Sequence, residues 1–186
     1  MDIKSFVDSI KAHFKIKFLA LHVDPRFSSV QTDSRPQIRQ DIVSNYSPLL
    51  SSSEKRAILN LDSLPVVENL FFSISHNKSI GGYVACDRKI GFDMEEVSRI
   101  TTENVGRVCS AAEIAACPDF KLLWSAKEAT IKALKQLLVM SDIEIISWTQ
   151  EGGVFYFEAS VKKISAQIQG AVFIHDNNTM ACSFVR

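Results

Sequence analysis

An α+β fold, built as two α+β halves in one chain, is the architecture this sequence predicts, and three observations lead to it. Apolar residues recur every three to four positions in some stretches and alternate in others, so helices and strands are both present. They come in the order helix, strand, helix, then three short strands, then helices, then a second strand set. The regular strand–helix alternation of a parallel doubly wound sheet does not fit this order.

Taking the elements in turn, Ile3, Phe6, Val7, Ile10 and Phe14 mark one face of a first helix, and "IKFLALHV" reads as a buried strand. The polar stretch from Asp24 to Ser53 carries Pro25, Pro36 and Pro48 and holds one helix near Pro36–Tyr46. "SSSEKRAILNL" has a capped helix start, with Ala57, Ile58 and Leu61 as its apolar positions. "NLFFSISH", "GGYVACD" and "KIGFDME" then read as strands of an antiparallel meander, joined by the turn-like "NKSIG" and "DRK". Helical segments follow at Thr101–Arg107 and Ser110–Ala116. Pro118 opens a long helix, Phe120–Leu138, at its first turn. Four strands close the chain, with turns at Glu151-Gly152-Gly153 and Asp176-Asn177-Asn178.

At 186 residues with 46% hydrophobic and 23% charged content, the chain can bury a sizeable core. Its formal charge is zero: 12 basic and 9 acidic residues precede Phe92, and 9 and 12 follow, a difference of +3 against −3. Bulk attraction to nucleic acid or to a membrane surface has no support in that balance. Cys86, Cys109, Cys117 and Cys182 form no C-x-x-C pair and the four histidines are scattered, so a zinc site has no spacing to rest on. Small buried thiols in a reducing compartment are the expectation. The apolar run "FLALHV" is too short for a signal-peptide core or a membrane span, so a cytoplasmic protein is expected.

Three short stretches carry the chemistry. In "FDME", strand alternation places Asp93 and Glu95 on one face, about 7 Å apart, where they repel unless a positive group lies between them. A hard divalent cation such as Mg²⁺ answers that need; so does a solvated strand end in which Glu95 and Glu96 favour the start of the next helix. In "WSAKEATIKAL", Trp124, Glu128 and Lys132 line up at i, i+4 and i+8 with Lys127 beside them. An exposed Glu–Lys pair explains the charges. The tryptophan on that stripe, with Leu123, Ala126, Ala129, Ala133 and Leu134 opposite, argues for a partly buried face instead. Third, Ser75 and His76 end a strand, with Lys78 next to them, as a structural terminus or an anion site. Together these groups suit metal-assisted phosphoryl transfer.

In order and spacing, "FSISH" (Phe72–His76), "IGFDME" (Ile90–Glu95) and "WSAKEATIK" (Trp124–Lys132) resemble the motifs of the 4′-phosphopantetheinyl transferase superfamily. The resemblance covers about Phe71 to Leu138. It implies a reaction in which the phosphopantetheine arm of coenzyme A moves to a serine of an apo acyl or peptidyl carrier protein, releasing adenosine 3′,5′-bisphosphate. Carried onto this chain, it implies that Asp93, Glu95 and Glu128 hold Mg²⁺ and that Glu128 helps deprotonate the serine. Lys132 and Lys127 would neutralise phosphate charge, and His76 with Ser75 would hold a phosphate. Arg56, with Lys55 and Arg39, is the basic candidate for the adenine and 3′-phosphate end.

The chain departs from the family pattern in three ways: no "G-K-P" step precedes the first motif, "ALKQLLV" replaces a Gly-rich turn after Lys132, and its length falls between the family's two branches. A compact monomeric pseudodimer is therefore expected. Its shortened N-terminal half would be residues 1–92 and its C-terminal half residues 93–186, each with a small antiparallel sheet packed on a long helix, and the active site between them. The alternative is an inactive relative that binds coenzyme A or a carrier protein. A Mg²⁺ nuclease is disfavoured, because Glu128 is followed by Ala129 and Thr130 rather than by x-Lys. Lys121 and Lys135 are candidates for steering an acidic carrier protein.

Overall fold

The computed structural model describes residues 1–30, 33–60, 64, 66–67 and 69–186. Helix α1 (Ile3–Phe14) starts at Asp2, whose carboxylate accepts from the Ser5 amide, and ends at Lys15 in the left-handed region. After β1 (Leu19–Asp24) come α2 (Ser34–Tyr46) and α3 (Ser52–Leu59). The predicted cap on α3 is present: the Ser51 hydroxyl accepts from the Glu54 amide and the Glu54 carboxylate from the Ser51 amide. Of its predicted apolar positions Ile58 is buried and Ala57 exposed; Leu61 lies outside the described residues.

Strands β2 (Phe71–His76), β3 (Gly81–Cys86) and β4 (Ile90–Glu96) lead to α4 (Thr102–Val108), α5 (Ala111–Ala116) and α6 (Phe120–Leu134). The chain closes with β5 (Ile143–Glu151), β6 (Val154–Val161), β7 (Gln167–His175) and β8 (Asn178–Val185). Both predicted tail turns form where positive φ is needed, at Gly152 and Gly153 and at Asp176 and Asn177. Among the described residues no helix is long and apolar enough to cross a membrane. All four cysteines are free thiols, with Cys86 and Cys182 buried.

The fold is α+β with two antiparallel sheets, ordered β1-β3-β2 and β4-β8-β7-β6-β5. The expected β2-β3-β4 meander is corrected here. Strand β3 takes β1 as its second neighbour, while β4 pairs along its whole length with β8, Ile90 opposite Phe184 through Glu96 opposite Asn178. A boundary at residues 92/93 therefore falls inside a strand of the five-stranded sheet.

What joins β2 to β4 is a pair of serines. The Phe92 amide donates to Ser73 Oγ at 2.9 Å and the Met94 amide to Ser75 Oγ at 3.1 Å. Both contacts step forward together, so the two strands run side by side in the same direction. The serine hydroxyls satisfy buried amides that would otherwise lack a ladder partner.

Two further corrections concern α6. It stops at Leu134, not Leu138, because Lys135 adopts φ 52° and ψ 38° and its amide closes back on the Ile131 carbonyl. A lysine thus takes the left-handed position usually filled by glycine. Pro118 lies before the cap, which is Asp119, rather than in the first turn.

Three apolar clusters hold these layers. Helix α1 packs under both sheets, Phe6 stacking on Phe173 at 3.9 Å and Ile10 fully buried beside it. Each such side chain contributes about 1.5–3 kcal/mol through the apolar area it removes from water. Helix α6 covers the opposite face of the five-stranded sheet, with Leu122, Leu123 and Ala126 against Val172 and Ala181. Helices α2 and α3 cover the corresponding face of the smaller sheet through Ile38, Ile42 and Ile58. The layout leaves α2 and α6 flanking β2 across a cleft.

Candidate functional site

A glycine sets how closely α6 approaches β4. A Cβ added at Gly91 would lie 1.9 Å from the Ala129 carbonyl oxygen and 2.3 Å from the Ala133 amide nitrogen, so only glycine allows the crossing. The helix side of the contact is correspondingly small and hydroxylic. Ser125 bonds Thr179 at 2.6 Å, and Thr130 bonds Ser183 at 3.2 Å. By strand alternation Asp93 and Glu95 share the Gly91 face, towards α6, while Ile90, Phe92 and Met94 enter the core with α1.

Asp93 and Lys132 meet there. Lys132 Nζ donates to Asp93 Oδ1 at 2.8 Å and to Ser75 Oγ at 3.0 Å, and Ser75 Oγ also lies 3.3 Å from Asp93 Oδ1. The other Asp93 oxygen, Oδ2, is buried without a hydrogen-bond partner among the described residues. Glu128 is half-buried nearby. Burial first, and then the negative charges of Asp93 and Glu95, push its carboxyl above the ordinary glutamate range, against a smaller opposing pull from Lys132. Burial also raises Glu95, opposed by Arg99, whose Nη1 sits 3.0 Å from Glu95 Oε1, and aggravated by Asp93.

Two carboxyls raised by burial and by the charge of Asp93, beside an Asp93 oxygen buried without a partner, are the donor chemistry a hard divalent ion takes. As the side chains stand, Lys132 occupies Asp93 and Arg99 occupies Glu95. Among the described residues no three Asp, Glu, His or Cys side chains are grouped as an ion site.

Beside Lys132 opens a cleft of about 560 Å³, with Arg35 and Arg39 on the α2 side, Phe72–His76 as floor, and Ile131, Lys132, Lys135 and Gln136 on the α6 side. Arg35 Nε donates to His76 Nε2 at 3.2 Å, so that nitrogen is an acceptor and the ring proton is on Nδ1. Burial, then the charges of Arg35 and Lys132, lower the His76 pKa and keep the ring neutral. Arg39 is buried and donates to the Ile58 and Asn60 carbonyls at 2.6 and 2.7 Å, clamping the end of α3. Lys135 Nζ reaches the Leu64 carbonyl at 3.3 Å across the cleft.

The structure thus gathers Ser75, Asp93 and Lys132 in direct contact, sets Glu128 and Glu95 within electrostatic reach of Asp93, and places His76 on the cleft floor. It does not bring Lys127 or Arg56 to the cleft. Lys127 is fully buried and bonds Glu113 at 2.7 Å, so its expected place beside phosphate is corrected: the ammonium already has its acceptors inside the protein. Arg56 is exposed on α3, away from the cleft lining, and Lys78 is exposed beyond the strand end. Arg35 is the cleft residue that the motifs missed. It carries no motif of its own, and only the packing of α2 beside β2 brings it to His76.

The family model of the 4′-phosphopantetheinyl transferase superfamily matches residues 89–183, from the start of β4 into β8, just over half of the chain. No curated protein matches it. With Asp93, Glu95, Glu128 and Lys132 all inside the matched span, the chain belongs to the 4′-phosphopantetheinyl transferase superfamily.

Proposed function

We propose that this protein transfers 4′-phosphopantetheine from coenzyme A to a serine hydroxyl of an apo acyl or peptidyl carrier protein. The observation that carries the reading is the Lys132–Asp93–Ser75 contact, which sets a cation between a cluster of carboxylates and a cleft lined by further cations. A pyrophosphate needs such cations, and the attacking hydroxyl needs a base.

In this reading residues 1–92 supply Arg35 and His76 and residues 93–186 supply the carboxylates and Lys132, so one chain provides both walls and acts as a monomer. Arg35, with Lys135, holds phosphate charge, and His76, whose Nδ1 is buried, orients the Arg35 guanidinium by accepting from it at Nε2. Glu128 accepts the serine proton, directly or through a water. The serine oxygen forms its bond to the phosphorus nearer the pantetheine arm as that phosphorus loses its bond to the bridging oxygen. The leaving adenosine 3′,5′-bisphosphate carries the electron pair away, and Lys132 balances the charge that develops.

Asp93, Glu95 and Glu128 would hold Mg²⁺, which when bound neutralises the pyrophosphate and polarises its oxygens. To serve the ion Glu95 would have to leave Arg99, a pair whose arginine is half exposed and which contributes little. The Asp93 oxygen without a partner, Oδ2, would serve the ion while Oδ1 keeps Lys132 at the edge of the cleft.

The test is mass spectrometry of an apo carrier protein incubated with coenzyme A, Mg²⁺ and this protein. A gain of the phosphopantetheine mass that is lost in Asp93→Ala and Glu128→Ala supports the reading; full transfer by both variants refutes the site. A second reading, a relative that binds coenzyme A or a carrier protein without transfer, is favoured by one observation: Lys132 and Arg99 already neutralise Asp93 and Glu95. Tight coenzyme A binding by calorimetry, without transfer to any carrier, selects it.

A further inference from the structure

On the flank of α6 that faces α4, α5 and β5, the structure buries an ion pair to which no family motif assigns this role. Lys127 Nζ and Glu113 Oε1 stand 2.7 Å apart, with side-chain exposures of 1% and 6%. The ammonium's other donors go to the Val108 carbonyl at 3.0 Å and the Ile143 carbonyl at 2.8 Å. The Glu113 carboxylate also accepts from the Ile145 amide at 3.0 Å and, as a capping box, from the Ser110 amide at 2.9 Å. Two side chains therefore tie the end of α4, the start of α5 and strand β5 to the middle of α6.

A buried charge pair is a poor way to gain stability, since apolar groups of equal volume commonly serve as well. What apolar packing lacks is direction. The underside of α6, with Ala126, Ala129 and Ala133, permits a close approach to β4 and is tied by Ser125 and Thr130 to β8 alone; the bonds of Lys127 add a directional tie to α4, α5 and β5. Lys127 directly precedes Glu128, so the two side chains leave the helix about 100° apart. Any turn of α6 that withdraws Glu128 and Lys132 from Asp93 must also break the bonds of Lys127.

We infer that Glu113, acting through Lys127, is a positioning residue that holds α6 at the rotation aiming Glu128 and Lys132 at Asp93. Its kinetic consequence rests on the transferase reading; its structural consequence does not. Two variants test it. Glu113→Gln keeps the shape and the acceptor towards Lys127, and Glu113→Gln/Lys127→Met removes both charges so that neither is left buried alone.

Well below their melting temperatures, both variants are expected to lose about tenfold or more in kcat for transfer, while calorimetric coenzyme A affinity moves less than about threefold. In their crystal structures Lys132 Nζ is expected beyond about 4 Å from Asp93 Oδ1, outside ion-pair range. Folded variants that keep both kcat and the Lys132–Asp93 contact reduce Glu113 to a purely structural residue and overturn the inference. If the native protein transfers nothing, the transferase reading fails, and the crystallographic comparison still decides the positioning role. If the double variant does not fold, Glu113→Gln decides it alone.

Discussion

Lys132 on α6 and Asp93 on β4, 39 residues apart in sequence, are joined at 2.8 Å, and the same Lys132 ammonium reaches Ser75 on the strand across the seam. One cation thus links the long helix, the five-stranded sheet and the smaller sheet. That node depends on a glycine beneath it and on serines that replace a backbone ladder between β2 and β4.

Removing either end of the node should cost most of the activity. Lys132→Met and Asp93→Asn are each expected to lower kcat/KM for transfer by about 100-fold or more, the loss typical of deleting one group that stabilises transition-state charge. Because the two groups share one contact, the double variant should lose much less than the product of the single losses. A double-mutant cycle in kcat/KM checks this; fully multiplicative losses would show that the contact is not shared in the working state.

Glu128 ties activity to stability with a definite sign. Burial and the Asp93 charge raise its pKa in the folded protein, so the folded state binds the proton more tightly than the unfolded chain. The stabilisation is complete below the unfolded glutamate value and is lost as pH rises through the folded one. Glu128→Gln is therefore expected to raise the melting temperature near pH 7, with the difference from the native protein vanishing below about pH 4. The same variant should lose transfer activity. Mg²⁺ should raise the melting temperature of the native protein and not of the variant. Calorimetric scans across pH, with and without the ion, read both effects.

Arg35 is expected to recognise phosphate on the coenzyme. Arg35→Ala should weaken coenzyme A binding by about tenfold, equal to about 1.4 kcal/mol, measured by calorimetry. Arg56→Ala, changed on the exposed side of α3, should leave that affinity within about twofold. The reverse pattern would move the phosphate site to α3.

Gly91→Ala should act through packing. With backbone of α6 lying 1.9 Å from the added carbon, the helix must shift, at a cost of about 3 kcal/mol or more. The melting temperature should fall by roughly 6–12 °C for a chain of this size. Transfer should fall as well at temperatures where the variant is folded, because the shift carries Lys132 and Glu128 away from Asp93. A variant with native stability would mean the approach is softer than described.

Much of this was legible in the sequence because it is local. The Ser51–Glu54 cap, the β-turn residues at Gly152-Gly153 and Asp176-Asn177, and the apolar face of α1 each depend on neighbours within a few positions. That Asp93 and Glu95 share a strand face and Glu128 and Lys132 a helix stripe was legible for the same reason, from strand and helix periods; that the two elements face each other was implied only by the resemblance of three motifs in order.

What the sequence hid is set by distant partners. Nothing local says that β4 prefers β8, since β3 is nearer in sequence and equally apolar; the choice is made by α1 and α6 covering both faces of the larger sheet. Lys127 looks like its neighbour Lys132 until Glu113 arrives from α5 to bury it. Lys135 in a left-handed conformation ends α6 without a glycine to announce it, its amide closing on the Ile131 carbonyl while its side chain reaches Leu64.

The most direct measurement is the mass of an apo carrier protein after incubation with coenzyme A, Mg²⁺ and the native protein or Glu128→Gln. One phosphopantetheine added by the native protein, none by the variant, and the released adenosine 3′,5′-bisphosphate in equal amount are the expected result. An unchanged carrier mass with the native protein, across fatty-acid, polyketide and peptide carriers, or equal transfer by Glu128→Gln, would show that these carboxylates do not perform the transfer.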